Sequence, residues 1–285
     1  MPDDIKHTWD RHVSVDHLRS MAQHIWGPDS LGMLTDHEPQ DLLLMKYQHS
    51  ILDMQHEIRG KRVLDMGCNH GLWSYVAHRH GAEMVVGLEP RGMFTKGLNR
   101  FAEEHRMPMK FVQGFDTDAK RVIAEHRIDT ALLLSNASIL EWEHLMYDLR
   151  LAKVGTIIMQ ENVIPDEWIQ LSPEMRAWMS HGPGQQYGFS MQFHNTWHTM
   201  RDGLDPVGRT TVDPDTGYAL LPSGRPDPQI KPDVRMTKSR EYVKNFVRHL
   251  DYRIVKETYQ TEDIRQSVGS DSRHKLFQWL LLKLE

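Results

Sequence analysis

The chain is nearly free of cysteine: Cys68 is the single one among 285 residues. Intramolecular disulfides and cysteine-rich zinc sites are thereby excluded, and a reducing compartment is compatible. No apolar run approaches the roughly 18 residues that a membrane-spanning helix needs. Nor is there an excess of positive charge. Lys and Arg number 34 against 39 Asp and Glu, a net −5 at pH 7. A strongly cationic nucleic-acid binder is disfavoured, although a local patch stays possible. The opening MPDDIKHTWD is acidic and polar, which is not the pattern of a secretory leader. No self-similarity at a period of about 20–50 residues is visible, so solenoids and propellers are excluded.

What is present is the composition of a folded globular protein, 39% hydrophobic and 26% charged, sized for one large domain or two small ones. Eighteen histidines are scattered along it. The plain reading is a surface that gains positive charge below about pH 6.5.

The pattern divides the chain into zones. In 41-DLLLMKYQHSILDMQHEI-58 the apolar positions Leu44, Tyr47, Ile51, Met54 and Ile58 recur at helical spacing, so residues 1–59 are expected to form helices. Residues 60–165 alternate short β-rich runs (62–67, 84–89, 109–114, 129–135, 155–161) with helical stretches (71–81, 91–105, 117–126, 139–153). That rhythm predicts an α/β fold, a parallel sheet with helices on both faces. Residues 166–238 break it, and nine of the 14 prolines fall between 165 and 232. The segment is too long for a plain connection and reads as a cap or ordered loops. Residues 239–250 predict an amphipathic helix with Tyr242, Phe246 and Leu250 on one face. Residues 252–260 and 275–285 predict two strands that pair antiparallel at the end of the sheet.

The chemistry concentrates in 63-VLDMGCNHG-71. A strand ends in Asp65, a turn carrying Gly67 and Gly71 follows, and a helix begins. The glycines allow a sharp turn and close backbone approach to a ligand, and the helix offers free N–H groups and a positive dipole end. The next strand ends in Glu89, expected to stand exposed, where a carboxylate can accept both hydroxyls of a ribose. The site looks built for an adenosine-containing ligand. The glycine spacing departs from the Gly-x-Gly-x-x-Gly of NAD enzymes.

The order Asp65-x-Gly67-x-Asn69-x-Gly71 resembles motif I of the class I S-adenosylmethionine-dependent methyltransferases, usually acid-x-Gly-x-Gly-x-Gly, with Asn69 in place of the middle glycine. Glu89 matches the acid that ends the family's second strand, and Asp116 in 113-QGFD-116 matches the acid that often binds the adenine amino group. The terminal helix and two strands also look like this fold, whose last strand inserts antiparallel. The resemblance covers residues 60–165 and 239–285. It implies a Rossmann-like, seven-stranded, mostly parallel sheet, an N-terminal helical lid over 1–59, a large insertion after the fifth strand (166–238) acting as a substrate cap, and S-adenosyl-L-methionine as cofactor. The cofactor residues it implies are Asp65, Gly67, Cys68, Asn69, Gly71, Glu89, Pro90, Phe115, Asp116 and Asn136. Weaker local similarities point to FkbM-type sugar methyltransferases, whose Asp-x-Glu-Gly segment 156-TIIMQENVI-164 lacks, and to the tRNA wobble-uridine carboxymethyltransferases.

Other residues admit two readings. Cys68 is a reactive thiol at a helix N-terminus or a small residue packed beside the ligand. Ser135 and Asn136 end the fourth strand at the crevice edge, and Asn136 either binds the ligand or caps a helix. In 190-SMQFHNTWHTM-200, His194 and His198 would share a face of a helix and could act as acid or base toward the substrate. A metal is not expected there, because no His-Glu-x-x-His accompanies them. Glu161 is expected at the end of the fifth strand, facing the crevice. From Arg225 to Lys256 nine Lys/Arg oppose four Asp/Glu, either a phosphate-binding patch or a solvated face. The expectation is a cytoplasmic methyltransferase acting on an O or N nucleophile of a small-molecule or glycan-like acceptor. An RNA-modifying enzyme of the same fold and a non-enzymatic scaffold are the rivals, and no membrane partner is expected.

Overall fold

The computed structural model describes residues 3–27, 40–134, 142–164, 190–194, 233–259 and 276–285. The chain divides into two compact units, one of residues 1–163 with 240–285 and one of residues 164–239.

The first unit is built on seven strands: β1 (Arg62–Met66), β2 (Met84–Glu89), β3 (Met109–Gln113), β4 (Thr130–Leu134), β5 (Thr156–Ile164), β8 (Tyr252–Tyr259) and β9 (Leu276–Leu284). Their order is β3-β2-β1-β4-β5-β9-β8. The first five pair in parallel, and β9 lies antiparallel to both β5 and β8. The sheet predicted from the strand rhythm and the inserted last strand are both present. Every residue of β4 is buried, as consecutive apolar positions require of a strand covered on both faces.

Helices α4 (Leu72–Arg79), α5 (Gly92–Glu104), α6 (Ala119–His126), α7 (Trp142–Leu151) and α8 (Arg240–His249) connect the strands. One face of the sheet packs on α6, α7 and α8 through Leu64, Val86, Leu133, Ile157, Trp142 and Val247. On α8 the buried stripe is Val243, Val247 and Leu250, with Phe246 at its flank against Trp142 and Tyr147. Of the expected face, Leu250 is buried and Phe246 packs against the core, while Val243 and Val247 join them inside; the side chain of Tyr242 lies outside the described residues.

The N-terminal helices α1 (Asp3–His12), α2 (Val15–Trp26) and α3 (Gln40–Tyr47) belong to the same unit. An added Cβ at Gly97 of α5 would stand 2.6 Å from the His24 carbonyl oxygen. Glycine there is what lets α2 lie directly on α5. Polar ties complete the docking: Ser14 N–H donates to the Tyr75 hydroxyl, and His24 pairs with Glu104. The helical spacing over 41–58 is not carried by one continuous α-helix. After α3 the chain widens into a π turn over Gln48–Leu52 and closes with a 3₁₀ turn over Gln55–Glu57. Tyr47, Ile51, Met54 and Ile58 nevertheless stay buried, so the apolar spacing was read correctly and the hydrogen-bond pattern was not.

In the second unit, β6 (Ser190–His194) pairs antiparallel with β7 (Asp233–Ser239), His194 opposite Asp233. Among the described residues no helix is long and apolar enough to cross a membrane.

Candidate functional site

The strand order reverses between β1 and β4, and an open α/β sheet binds ligands outside the C-terminal ends of strands at such a point. The turn after β1 occupies it. Gly67, Asn69 and Gly71 all hold positive φ, at 60°, 52° and 78°. Asn is among the few non-glycine residues that enter this region readily. Asn69 thus takes up a left-handed conformation where the resembled pattern carries its middle glycine. Gly71 begins α4, and a Cβ there would meet Leu98 Cδ2 at 2.7 Å.

Two buried carboxylates flank the turn. Asp65 accepts a 2.6 Å hydrogen bond from the Ser74 hydroxyl of α4. Its pKa is pushed up to about 7, chiefly by burial. Hydrogen bonding from Ser74 opposes the rise, nearby Glu89 adds to it, and Lys46 reduces it. Glu89 is only 2% exposed, which corrects the exposed strand end expected from the sequence. The reason is its partners. Its Oε2 accepts the Asn69 N–H at 3.0 Å, and its Oε1 accepts the Arg91 backbone N–H at 3.1 Å and the Arg91 Nε–H. Arg91 also donates from Nη2 to Asn69 Oδ1 at 2.9 Å and stacks its guanidinium 4.2 Å from the Phe94 ring centroid. Sequence reasoning missed Arg91. The available signal was that a carboxylate ending a buried strand needs a charged or N–H partner nearby.

The other predicted residues fall as follows. Pro90 follows Glu89, and its carbonyl accepts from Gln113 Nε2. Gln113 is the register partner of Glu89, which places Phe115 and Asp116 at the same sheet edge. Phe115 is 59% exposed, and Asp116 accepts from the Thr117 N–H at the start of a short 3₁₀ turn. Cys68 is buried, its thiol pushed well up by burial and then by the charges of Asp65 and Glu89. That environment opposes a thiolate, and the thiol is closely packed: a Cβ on Gly87 would sit 2.6 Å from Cys68 Sγ. Trp26, the last residue of α2, approaches the turn, its ring 6.3 Å from that of His70 and 5.7 Å from that of Phe94.

Some expectations are corrected or fall outside view. β5 continues to Ile164, so Glu161 lies inside the strand, 4% exposed, opposite Gln278. The strand end expected at Glu161 lies further on, at Ile164. Ser190–His194 is a strand and not a helix, so the helical pairing of His194 with His198 does not describe His194. Ser135, Asn136 and His198 lie outside the described residues. Several cations of the 225–256 stretch are engaged within the protein: Arg240 and Lys244 with Glu257, Lys256 with Asp53, and Arg253 with Glu285. Among the described residues, no group of three or more His, Cys, Asp or Glu could hold a metal ion.

No protein-family model matches the chain. Over 136 residues, 42% of this chain, it is 29% identical to a tRNA U34 carboxymethyltransferase of Pseudomonas syringae pv. tomato, and the match spans 39% of that relative's own length. Two solved structures superpose with a TM-score of 0.50. The N-terminal domain of EvdMO1 with SAH bound is 13% identical, over 96% of this chain and 99% of that one. The PH0226 protein of Pyrococcus horikoshii is 12% identical, over 88% and 94%. The sheet order gives the chain a Rossmann-like fold with its last strand inserted antiparallel, and both likenesses agree with that fold.

Proposed function

We propose that the chain is an S-adenosylmethionine-dependent methyltransferase, with its cofactor held between the Asp65–Gly71 turn and Glu89. The observation that carries this is the pair of buried carboxylates at the C-terminal ends of adjacent strands, joined by a turn with three left-handed residues. These residues fit the cofactor. A carboxylate has about four lone-pair positions, and Glu89 uses three on Asn69 N–H, Arg91 N–H and Arg91 Nε–H. A ribose diol needs two, so Arg91 must give up its Nε bond to Glu89 as the ligand enters. Asp65 receives the ammonium of the amino-acid end. Gly67 and Gly71 keep the turn narrow, and Pro90, Phe115 and Asp116 border the adenine. Asn136 belongs to the same set in this reading.

When bound, the cofactor supplies an electrophilic methyl group on a sulfonium sulfur. The protein's own work is alignment and exclusion of water, with a general base needed only where the acceptor must lose a proton. In this reading residues 1–59 act as a lid over the cofactor, and Trp26 beside His70 supports that. Residues 166–238 cap the acceptor, and His194 and His198 are the candidates for its proton. The acceptor is an O or N nucleophile of a small or glycan-like molecule, and a reducing, cytoplasmic setting suits one buried thiol. Mass spectrometry of the molecule that copurifies with the chain tests the cofactor reading directly.

A second reading is favoured by the local match to a tRNA U34 carboxymethyltransferase: an RNA acceptor, receiving a methyl or carboxymethyl group. Against it stand the intramolecular ion pairs that occupy Arg240, Lys244, Arg253 and Lys256. A tRNA complex whose affinity falls steeply with salt would establish this reading. Absence of any complex at low salt would remove it.

A further inference from the structure

Five of the 18 histidines, His12, His17, His78, His80 and His105, meet where α1 and α2 lie on α4 and α5. The ring of His12 stacks on that of His80 at 4.3 Å between centroids, and that of His17 lies 4.7 Å from that of His105. Each pair has one member on the N-terminal helices and one on the helices beneath. His17 Nδ1 also bonds the Tyr75 hydroxyl at 2.9 Å, Ser20 Oγ bonds His105 Nε2 at 3.1 Å, and the Tyr47 hydroxyl bonds His80 Nε2 at 2.8 Å. His78 Nδ1 is buried with no hydrogen-bond partner among the described residues. The other charges facing this seam are Arg59, Arg79, Asp16 and Glu104, the last 3.7 Å from His105 and 2.8 Å from His24. Both carboxylates are exposed, where an ion pair contributes little.

Neutral rings suit this seam and charged rings do not. A neutral imidazole keeps one nitrogen as an acceptor, and protonation makes both nitrogens donors. The buried Tyr47 hydroxyl then loses the nitrogen it bonds, and two ring pairs carry like charge beside Arg59 and Arg79. Burial and the neighbouring cations hold the pKa of His17, His78 and His80 below the ordinary 6.5. Little apolar surface opposes release. Among the described residues, the buried apolar side chains of residues 3–27 are Ile5, Val13, Met21, Ala22 and Ile25, and segments with few such contacts open before a core does. We infer that α1 and α2 form an acid-released lid: as the seam takes up charge, they come off α4 and α5 together and carry Trp26 away from the turn after β1, while the sheet stays folded. This rests on the reading above that residues 1–59 cover the cofactor, and it makes proton uptake at the seam a regulator of ligand exchange at that turn.

Hydrogen–deuterium exchange of the full chain, with rates corrected for the intrinsic effect of pH, tests this. At pH 7.5 peptides of α1 and α2 should be protected. At pH 5 their protection should fall roughly tenfold or more, the scale of one pKa unit between open and closed forms, with β1, β4 and β5 unchanged. The His12→Gln, His105→Gln double variant removes one half-buried member of each ring pair and should keep α1 and α2 protected at pH 5. If that variant is open already at pH 7.5, His12→Gln alone is read the same way. S-adenosylhomocysteine titrated at pH 5 should bind the variant severalfold more tightly than wild type. Wild-type helices that stay protected at pH 5, that lose protection together with the sheet, or that lose it equally in the variant overturn the inference. Helices that open while wild type and variant bind the ligand equally overturn it as well. A wild type that binds no S-adenosylhomocysteine at pH 7.5 overturns the cofactor reading instead, and the exchange rates still decide whether acid releases the helices.

Discussion

The backbone N–H of Asn69 donates to Glu89 Oε2 at 3.0 Å, so the turn that ends β1 is tied to the acid that ends β2. In the proposed reading the tie couples stability to ligand binding at one residue. Glu89→Ala leaves the Asn69 and Arg91 donors without their acceptor, and should destabilise the fold by about 1–3 kcal/mol. Glu89→Gln keeps the shape and one acceptor oxygen. It should weaken cofactor binding by about 1.5–3 kcal/mol at a smaller cost in stability. Thermal unfolding and calorimetric titration of both variants check this. Wild-type affinity in Glu89→Gln would take Glu89 out of the site.

The left-handed turn predicts a sharp difference between two substitutions of one residue. Asn69→Gly keeps access to φ near +52° and should fold normally, losing only its bond to Arg91. Asn69→Val places a β-branched residue there and should cost about 1–3 kcal/mol. Gly71→Ala should be worse than its size suggests, because it strains a backbone at φ 78° and its methyl also displaces Leu98, 2.7 Å away. Urea unfolding of the three variants ranks them, and equal midpoints for Asn69→Gly and Asn69→Val would contradict the account.

Acid should loosen the N-terminal helices. His17 of α2 hydrogen-bonds Tyr75 of α4 at 2.9 Å and packs on His105, with Arg79 and Asp16 nearby. His80 is held by Tyr47 at 2.8 Å and stacked on His12, with Arg59 and Arg79 also facing it. His78 faces His17 and Arg79. Burial, then these cations, lower the pKa of all three, that of His80 to about 4. Groups whose folded pKa is depressed bind fewer protons folded than unfolded. Their contribution is fully present above about 6.5 and is lost as pH falls from there toward 4. The melting temperature should drop across that window, and drop less in a His17→Gln, His80→Gln double variant. An unchanged slope in the double variant would show that the histidines do not carry the effect.

Asp65 works in the opposite sense. Its folded pKa lies near 7, above the ordinary 3.8, so its ionisation costs stability as pH rises between those values. A ligand ammonium prefers the ionised form, so S-adenosylmethionine affinity should rise through pH 7. Methylthioadenosine, without the ammonium, should show no such rise. Parallel titrations at pH 6 and pH 8 separate the two.

Much of this was legible in the chain. Consecutive apolar positions such as 131-ALLL-134 announced strands buried on both faces. The acid–glycine–glycine spacing after 62-RVL-64 located the left-handed turn at the C-terminal edge of the sheet. What escaped was set by partners distant in sequence. Glu89 is buried because Arg91 folds back and Asn69 arrives from another strand's turn. Glu161 sits inside the sheet because β9, more than a hundred residues later, extends the pairing. The importance of Gly97 depends on α2 crossing at that residue. A periodicity of three and four cannot distinguish an α-helix from one that widens into a π turn at Gln48–Leu52, since both keep Ile51 and Met54 inside.

The central claim is that the turn after β1 holds the cofactor. Its most direct measurement is calorimetric titration of the full chain with S-adenosylhomocysteine, in wild type and in Gly67→Val. A side chain at residue 67 strains a backbone at φ 60° and, in the proposed reading, intrudes on the ligand. The account predicts one ligand bound per wild-type chain and none in the variant, with the far-ultraviolet circular dichroism of the sheet retained. Binding of equal strength in the variant, or no binding in the wild type, would contradict it.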